Sequence, residues 1–150
     1  YPRGSGIGVG LDAEFRKLKV GKGEILKKGN DLLIMGVGPI LYDAIHAVDE
    51  LKVNATIINA RFVKPLDEEL ILKHAKKIKN IITLEEGTIN GGFGSAVVEL
   101  LEDKGIKSNV KRIGIADKFI EHGTPDIQIK LARIDKEGIK RVINGVLSEK

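Results

Sequence analysis

Arg3 is the side chain of this sequence best suited to gripping an anion. It stands in Tyr1-Pro2-Arg3-Gly4. A guanidinium binds phosphate through parallel N–H donors held in a fixed fork. Pro2 stiffens the backbone beside it, and Gly4 takes away a side chain that would crowd a ligand. Arg3 is the best single candidate in this sequence for binding an anionic substrate.

Three other constellations carry possible chemistry. Gly36-Val37-Gly38 sits where a dinucleotide-binding turn would, between an apolar run and a helical pattern. The third glycine of such a fingerprint would fall at position 41, which is Leu41, and Asn59-Ala60-Arg61 offers no acid for a ribose hydroxyl. A close-packed strand–helix turn is the expected reading. Glu85-Glu86-Gly87-Thr88-Ile89-Asn90-Gly91-Gly92-Phe93-Gly94-Ser95 is the richest internal loop. Its glycines expose N–H groups at a helix start, which can hold an anion. Its two glutamates would repel a phosphate, and they point apart if the strand continues. A structural loop at a subunit or domain contact is expected there. Asp117, Glu121 and His122 share a loop in which a histidine beside an acid would be a general base. No Ser or Cys nucleophile is placed beside them, so a polar loop is expected. His46, His74 and His122 show no metal-ligand spacing, and no metal site is expected in this chain.

The elements that must position these residues follow from pattern. Residues 1–10 read as an interdomain linker, with glycine at every second position from Gly4. Residues 11–150 read as one domain. Gly23 to Lys28 is a strand, followed by a Gly29-Asn30 turn and a second strand, Asp31 to Gly36, which together read as a hairpin. Leu32 to Met35 is unbroken and apolar, as in a strand buried on both faces. Pro39 opens a helix whose buried stripe is Leu41, Ala44, Ile45, Val48 and Leu51. Ala55 to Asn59 is a strand, and Pro65-Leu66-Asp67 begins a helix capped by Asp67, with Ile71, Ala75 and Ile78 inward. Asn80 to Leu84 is a strand, Glu85 to Gly94 a turn, and Gly94 to Lys104 a helix. Val110 to Ile115 is a strand. Two helices close the chain, over 124–132 and 135–148, the latter capped by Asp135. Alternating strands and helices predict a three-layer αβα sandwich. Its sheet should be mostly parallel and five-stranded, with the first strand antiparallel to its neighbour.

Composition narrows the function classes. The chain has 150 residues, enough for one domain with a real core, and no run of about 18 apolar residues that would span a membrane. Zero Cys excludes disulfides and thiolate chemistry and fits a cytoplasmic setting. The net charge of +4 is spread over interspersed signs, and only six of the basic residues are Arg. With aromatics at 4%, this is not the composition of a nucleic-acid binder. The cluster Lys73, Lys76, Lys77 and Lys79 falls at a helix end, where cations complement the dipole.

The stretches Tyr1-Pro-Arg-Gly4, Gly21-Lys-Gly-Glu24, Asn59-Ala-Arg-Phe-Val-Lys-Pro-Leu-Asp67, Glu85-Glu86 with Gly91-Gly-Phe-Gly-Ser95, and Asp117-Lys-Phe-Ile-Glu-His-Gly123 point further. In order and spacing they resemble the C-terminal domain of 1-deoxy-D-xylulose-5-phosphate synthases, thiamine-diphosphate enzymes of the transketolase superfamily. The resemblance implies a whole enzyme that condenses pyruvate with glyceraldehyde 3-phosphate, loses carbon dioxide, and works as a homodimer. It implies thiamine diphosphate and Mg²⁺ bound elsewhere, since no Gly-Asp-Gly occurs in this sequence. It implies that Arg3 helps bind the phosphate of the acceptor aldehyde. The rest of the domain is then scaffold that braces the missing N-terminal and middle domains and supports the dimer, and the chain alone is inactive. The rivals are the same domain from a transketolase or from the decarboxylase subunit of a 2-oxo acid dehydrogenase, a partner-docking module, and a nucleotide-binding domain.

Overall fold

The computed structural model describes Gly10 and residues 17–148. All but Gly10 of the expected linker, with Arg3 in it, lies outside the described residues. The elements run β1 (Glu24–Lys27), β2 (Leu32–Gly36), α1 (Ile40–Leu51), β3 (Ala55–Asn59), α2 (Glu68–Ala75), β4 (Asn80–Thr88), α3 (Phe93–Asp103), β5 (Asn109–Ile115), α4 (Pro125–Ala132) and α5 (Lys136–Ser148). The strands form one five-stranded sheet in the order β1-β3-β2-β4-β5. β2 is parallel to both β3 and β4, and β4 is parallel to β5.

Side chains of the central strands alternate between two cores, as the period of two requires. Leu32, Ile34, Ile57, Ile82 and Leu84 face the layer of α1 and α5. Leu33, Met35, Ile58 and Ile81 face the layer of α2 and α3. β2 is buried along its whole length, which explains its unbroken apolar run. The expected three-layer sandwich, with one antiparallel strand, is the observed fold. No described helix is long and apolar enough to cross a membrane.

The hairpin is not formed. β1 is antiparallel to β3, pairing Glu24 with Asn59 and Ile25 with Ile58, and makes no ladder with β2. Both edges of β2 are already taken by β3 and β4. The chain between β1 and β2 instead crosses the start of β3, where the N–H groups of Asn30 and Asp31 both donate to the Asn54 carbonyl, at 3.0 and 2.9 Å. Gly29 serves that crossing: a Cβ there would fall 2.5 Å from the Asn54 carbonyl. Thr56 Oγ1 accepts from Gly29 N–H at 3.0 Å and donates to its carbonyl at 2.6 Å, fixing the crossing.

The helix starts behave as local chemistry predicts. Asp67 accepts the Leu70 N–H at 3.2 Å, and Asp135 accepts the Gly138 N–H at 3.1 Å. β4 is longer than expected and carries Glu85 and Glu86 within it.

Candidate functional site

The strand order creates one switch point. β2 is followed by α1 on one face of the sheet, and β4 by α3 on the other. Between the carboxyl ends of two such strands an open α/β sheet leaves a crevice, the usual ligand position of such folds. Here the crevice lies between Gly36-Val37-Gly38 and Glu85-Glu86.

The two glutamates divide as alternation demands. Glu85 is buried, only 6% exposed, and turns toward α3. Its carboxylate accepts the N–H of Phe93 at 2.8 Å and of Gly94 at 2.9 Å. The helix start that the sequence offers to an anion thus holds one from its own chain. Gly92 makes room for it, because a Cβ there would overlap the Glu85 carboxylate. Ser95 Oγ accepts from Gly91 N–H at 3.0 Å, donates to the Ile89 carbonyl at 3.2 Å, and accepts from Arg112 Nη1 at 2.8 Å. The glycine-rich loop is a closed, self-satisfied structure.

Glu86 turns the other way, into the crevice. A Cβ on Gly38, whose φ is +93°, would lie 3.2 Å from Glu86 Oε2. The crevice opens into a cleft of about 340 Å³ lined by Tyr42, Asp43, His46, Glu86, Asp126 and Ile134 among others. Burial pushes the carboxyls of Asp43 and Glu86 above the usual range, and Asp43 raises Glu86 further. A carboxyl-lined cleft repels phosphates and favours a cationic side chain. Sequence reasoning missed this cleft, because its acids come from α1, β4 and α4.

The motif stretches meet as a clamp at the antiparallel edge. Lys22 Nζ contacts Asp67 and Glu69, both at 3.2 Å, while Gly23 N–H donates to Asp67 at 3.0 Å. Glu24 pairs with Arg61, which has φ of +59° just beyond β3. Gly21, at φ +71°, packs against Pro65. The Gly21–Glu24 and Asn59–Asp67 stretches therefore hold each other.

The remaining candidates separate. Gly36 is a close-packed turn residue: a Cβ would lie 3.0 Å from Leu41 Cδ2 and from the Leu84 carbonyl. With Glu86 beside Gly38, the turn does not suit a pyrophosphate. Asp117, Glu121 and His122 are exposed, and no hydrogen bond joins the three. His46 is exposed at the cleft wall. His74 lies between lysines, and burial, then Lys73 and Lys77, hold its imidazole below the ordinary value. Among the described residues no group of His, Asp and Glu is placed to hold a metal ion.

Comparison with known proteins extends this description. The family model described as "Transketolase, C-terminal domain" matches residues 21–139. The 1-deoxy-D-xylulose-5-phosphate synthase of Trichormus variabilis is 53% identical over 130 residues, covering 84% of this chain and 20% of that protein. The one from Syntrophus aciditrophicus is 44% identical over 152 aligned positions, covering 99% of this chain and 23% of that protein. The chain thus spans about a fifth of the length of the curated relatives it matches. Among solved structures, a split-gene transketolase described as an inactive β4 tetramer superposes with a TM-score of 0.81 at 27% identity, covering 89% of this chain and 44% of its own. A Pichia stipitis transketolase in complex with sedoheptulose 7-phosphate shares the fold at 14% identity, with a TM-score of 0.57 over 84% of this chain and 18% of its own. With the family model matching most of the chain and relatives about half identical along it, this chain belongs to the transketolase C-terminal domain family, and these sequence relatives are 1-deoxy-D-xylulose-5-phosphate synthases.

Proposed function

We propose that this chain is the C-terminal domain of a 1-deoxy-D-xylulose-5-phosphate synthase, a thiamine-diphosphate-dependent transferase that condenses pyruvate with glyceraldehyde 3-phosphate and releases carbon dioxide. The observation that carries this reading is the 44% identity to a relative of that name across 99% of the chain. The domain acts as scaffold, braces the N-terminal and middle domains, supports a homodimer, and is inactive alone. Arg3 supplies the grip on the aldehyde's phosphate, through the fork geometry of its guanidinium.

The described residues do not fit thiamine diphosphate or its Mg²⁺. The glycine-rich start of α3 is filled by Glu85, and Glu86 lies beside Gly38 at the start of α1. The switch-point cleft is lined by carboxyls, and no described group is placed to hold a metal. We therefore assign the cofactor to the other domains and derive no step through it here.

The test is Arg3→Ala in the full-length protein, with pyruvate and glyceraldehyde 3-phosphate varied separately. Loss of a charged, bidentate contact costs about 2–3 kcal/mol, on the order of a 30- to 150-fold rise in KM for the phosphorylated aldehyde. The KM for pyruvate stays within about twofold, because pyruvate has no phosphate for Arg3 to hold. Unchanged constants for both substrates would remove Arg3 from the site.

A further inference from the structure

Helix α4 has no fully buried residue. Ile129 and Ala132 pack partly against the core. Ile127 and Leu131, one turn apart, are half exposed. In the adjoining loop Phe119 is fully exposed. Loop and helix flank an apolar cleft of about 390 Å³. That cleft adjoins the switch-point cleft, and Glu86, Ile129 and Ile134 line both. A single exposed leucine needs no explanation, but a bare phenylalanine beside an apolar cleft marks an interaction surface. Aromatic anchors next to pockets are the usual hot spots of such surfaces.

The charges indicate what covers it. Asp43, Glu86 and Asp126 form no salt bridge among the described residues, although His46 and Lys136 act on the Asp43 carboxyl through space and Lys118 lines the apolar cleft with Glu86. Burial disfavours the charged forms of the Asp43 and Glu86 carboxyls, and an opposite charge brought beside them would relieve that. A second copy of this face would set three carboxyls against their own kind near a two-fold axis, with Lys118 the one lysine or arginine among the residues lining the two clefts. A basic side chain set in an apolar surface satisfies both features.

We propose that this face docks the remainder of the enzyme, which covers Phe119 and the apolar cleft beside it with apolar side chains and inserts an Arg or Lys beside Asp43 and Glu86. The inference rests on the reading above that the chain is one domain of a longer synthase. The relatives supply the necessary surface, since about four-fifths of their length lies outside the matched region. The Asp117–Gly123 motif then has a role: it presents Phe119 to the neighbouring domain.

The test places the photo-cross-linking residue p-benzoylphenylalanine at position 119 of the full-length protein, with a control at the exposed Lys76. The expected result is a cross-link from position 119 to a segment outside these 150 residues, and none from the control. Its yield falls several-fold in the D43N/E86Q background, a pair of near-isosteric changes that removes only charge. A cross-link onto α4 of a second copy, or no protein cross-link at all, overturns the proposal. So does a yield indifferent to D43N/E86Q, for the basic side chain. The readout does not depend on turnover. A protein that cross-links but makes no deoxyxylulose phosphate defeats the proposed reaction and leaves the docking face standing.

Discussion

The Glu85 carboxylate on β4 accepts the backbone N–H of Phe93, 2.8 Å away at the first residue of α3, and reaches Gly94 N–H at 2.9 Å with its other oxygen. One buried side chain thus ties the end of a strand to the start of the next helix, and it places negative charge at the helix's positive end. Glu85→Ala leaves two buried donors unsatisfied and should cost about 3 kcal/mol. Glu85→Gln keeps one acceptor and should cost about half as much. Urea unfolding of the two variants checks the order. An alanine variant within about 0.5 kcal/mol of the parent would show that the cap contributes little.

Two glycines should respond to alanine with opposite sign. At Gly92 the new methyl overlaps the Glu85 carboxylate and lies 2.5 Å from the Thr88 carbonyl, so the cap must move. Gly92→Ala should destabilise by about 2 kcal/mol or more. At Gly145, exposed within α5, a Cβ meets nothing within 4 Å. Gly145→Ala should stabilise by about 0.5 kcal/mol through helix propensity alone. Thermal melts of the pair settle the contrast, and two shifts of one sign would refute it.

What was legible in the sequence was what is local. Asp67 and Asp135 cap the helices they precede because a cap spans three residues. The apolar stripe of α1 was readable from spacing, with Leu41, Ala44 and Val48 buried as expected. The partner of β1 was not readable. Gly29-Asn30 looks like a hairpin turn, and its true use, a crossing over Asn54, depends on a residue 24 positions on. The role of Glu85 was hidden for a related reason. The pattern offered N–H groups at a helix start, but whether they hold a ligand or the chain's own carboxylate depends on where β4 ends. The switch-point cleft was the least visible feature, because Asp43, Glu86 and Asp126 meet only through the sheet order. Arg3, read from its motif, lies outside the described residues.

Acid should weaken the chain through its clamped carboxylates. Burial pushes the Asp67 carboxyl up, but the N–H groups of Gly23 and Leu70 and the Lys22 ammonium outweigh it, and the group is held below its ordinary 3.8. Glu50, bonded by Lys136 and Lys140, is lowered to about 2. For each, the unfolded chain binds more protons than the folded one between the two pKa values. Stability is then full above the ordinary carboxylate pKa and declines as pH falls through the folded one. Asp67→Asn should lower stability at pH 7 and flatten the loss below about pH 4. Denaturation midpoints from pH 7 to pH 2 test this, and an unchanged acid slope would count against the clamp.

Glu86 should show the opposite dependence. Burial first, then Asp43, hold its carboxyl above the ordinary 4.5, so the folded chain binds the extra proton. Stability contributed by this group therefore falls as pH rises from about 4.5 through the folded pKa, the reverse of Asp67. In this chain Glu86→Gln should raise the melting temperature at pH 7, with the gain vanishing below about pH 4.5. In the full-length protein, where a basic side chain is placed beside it, the same change should bring no gain at neutral pH, because the charge removed is then a paired one. Melts of the variant in both contexts, at pH 7 and pH 4, separate the cases. A gain of equal size in both would mean that Glu86 faces no cation in the assembled enzyme.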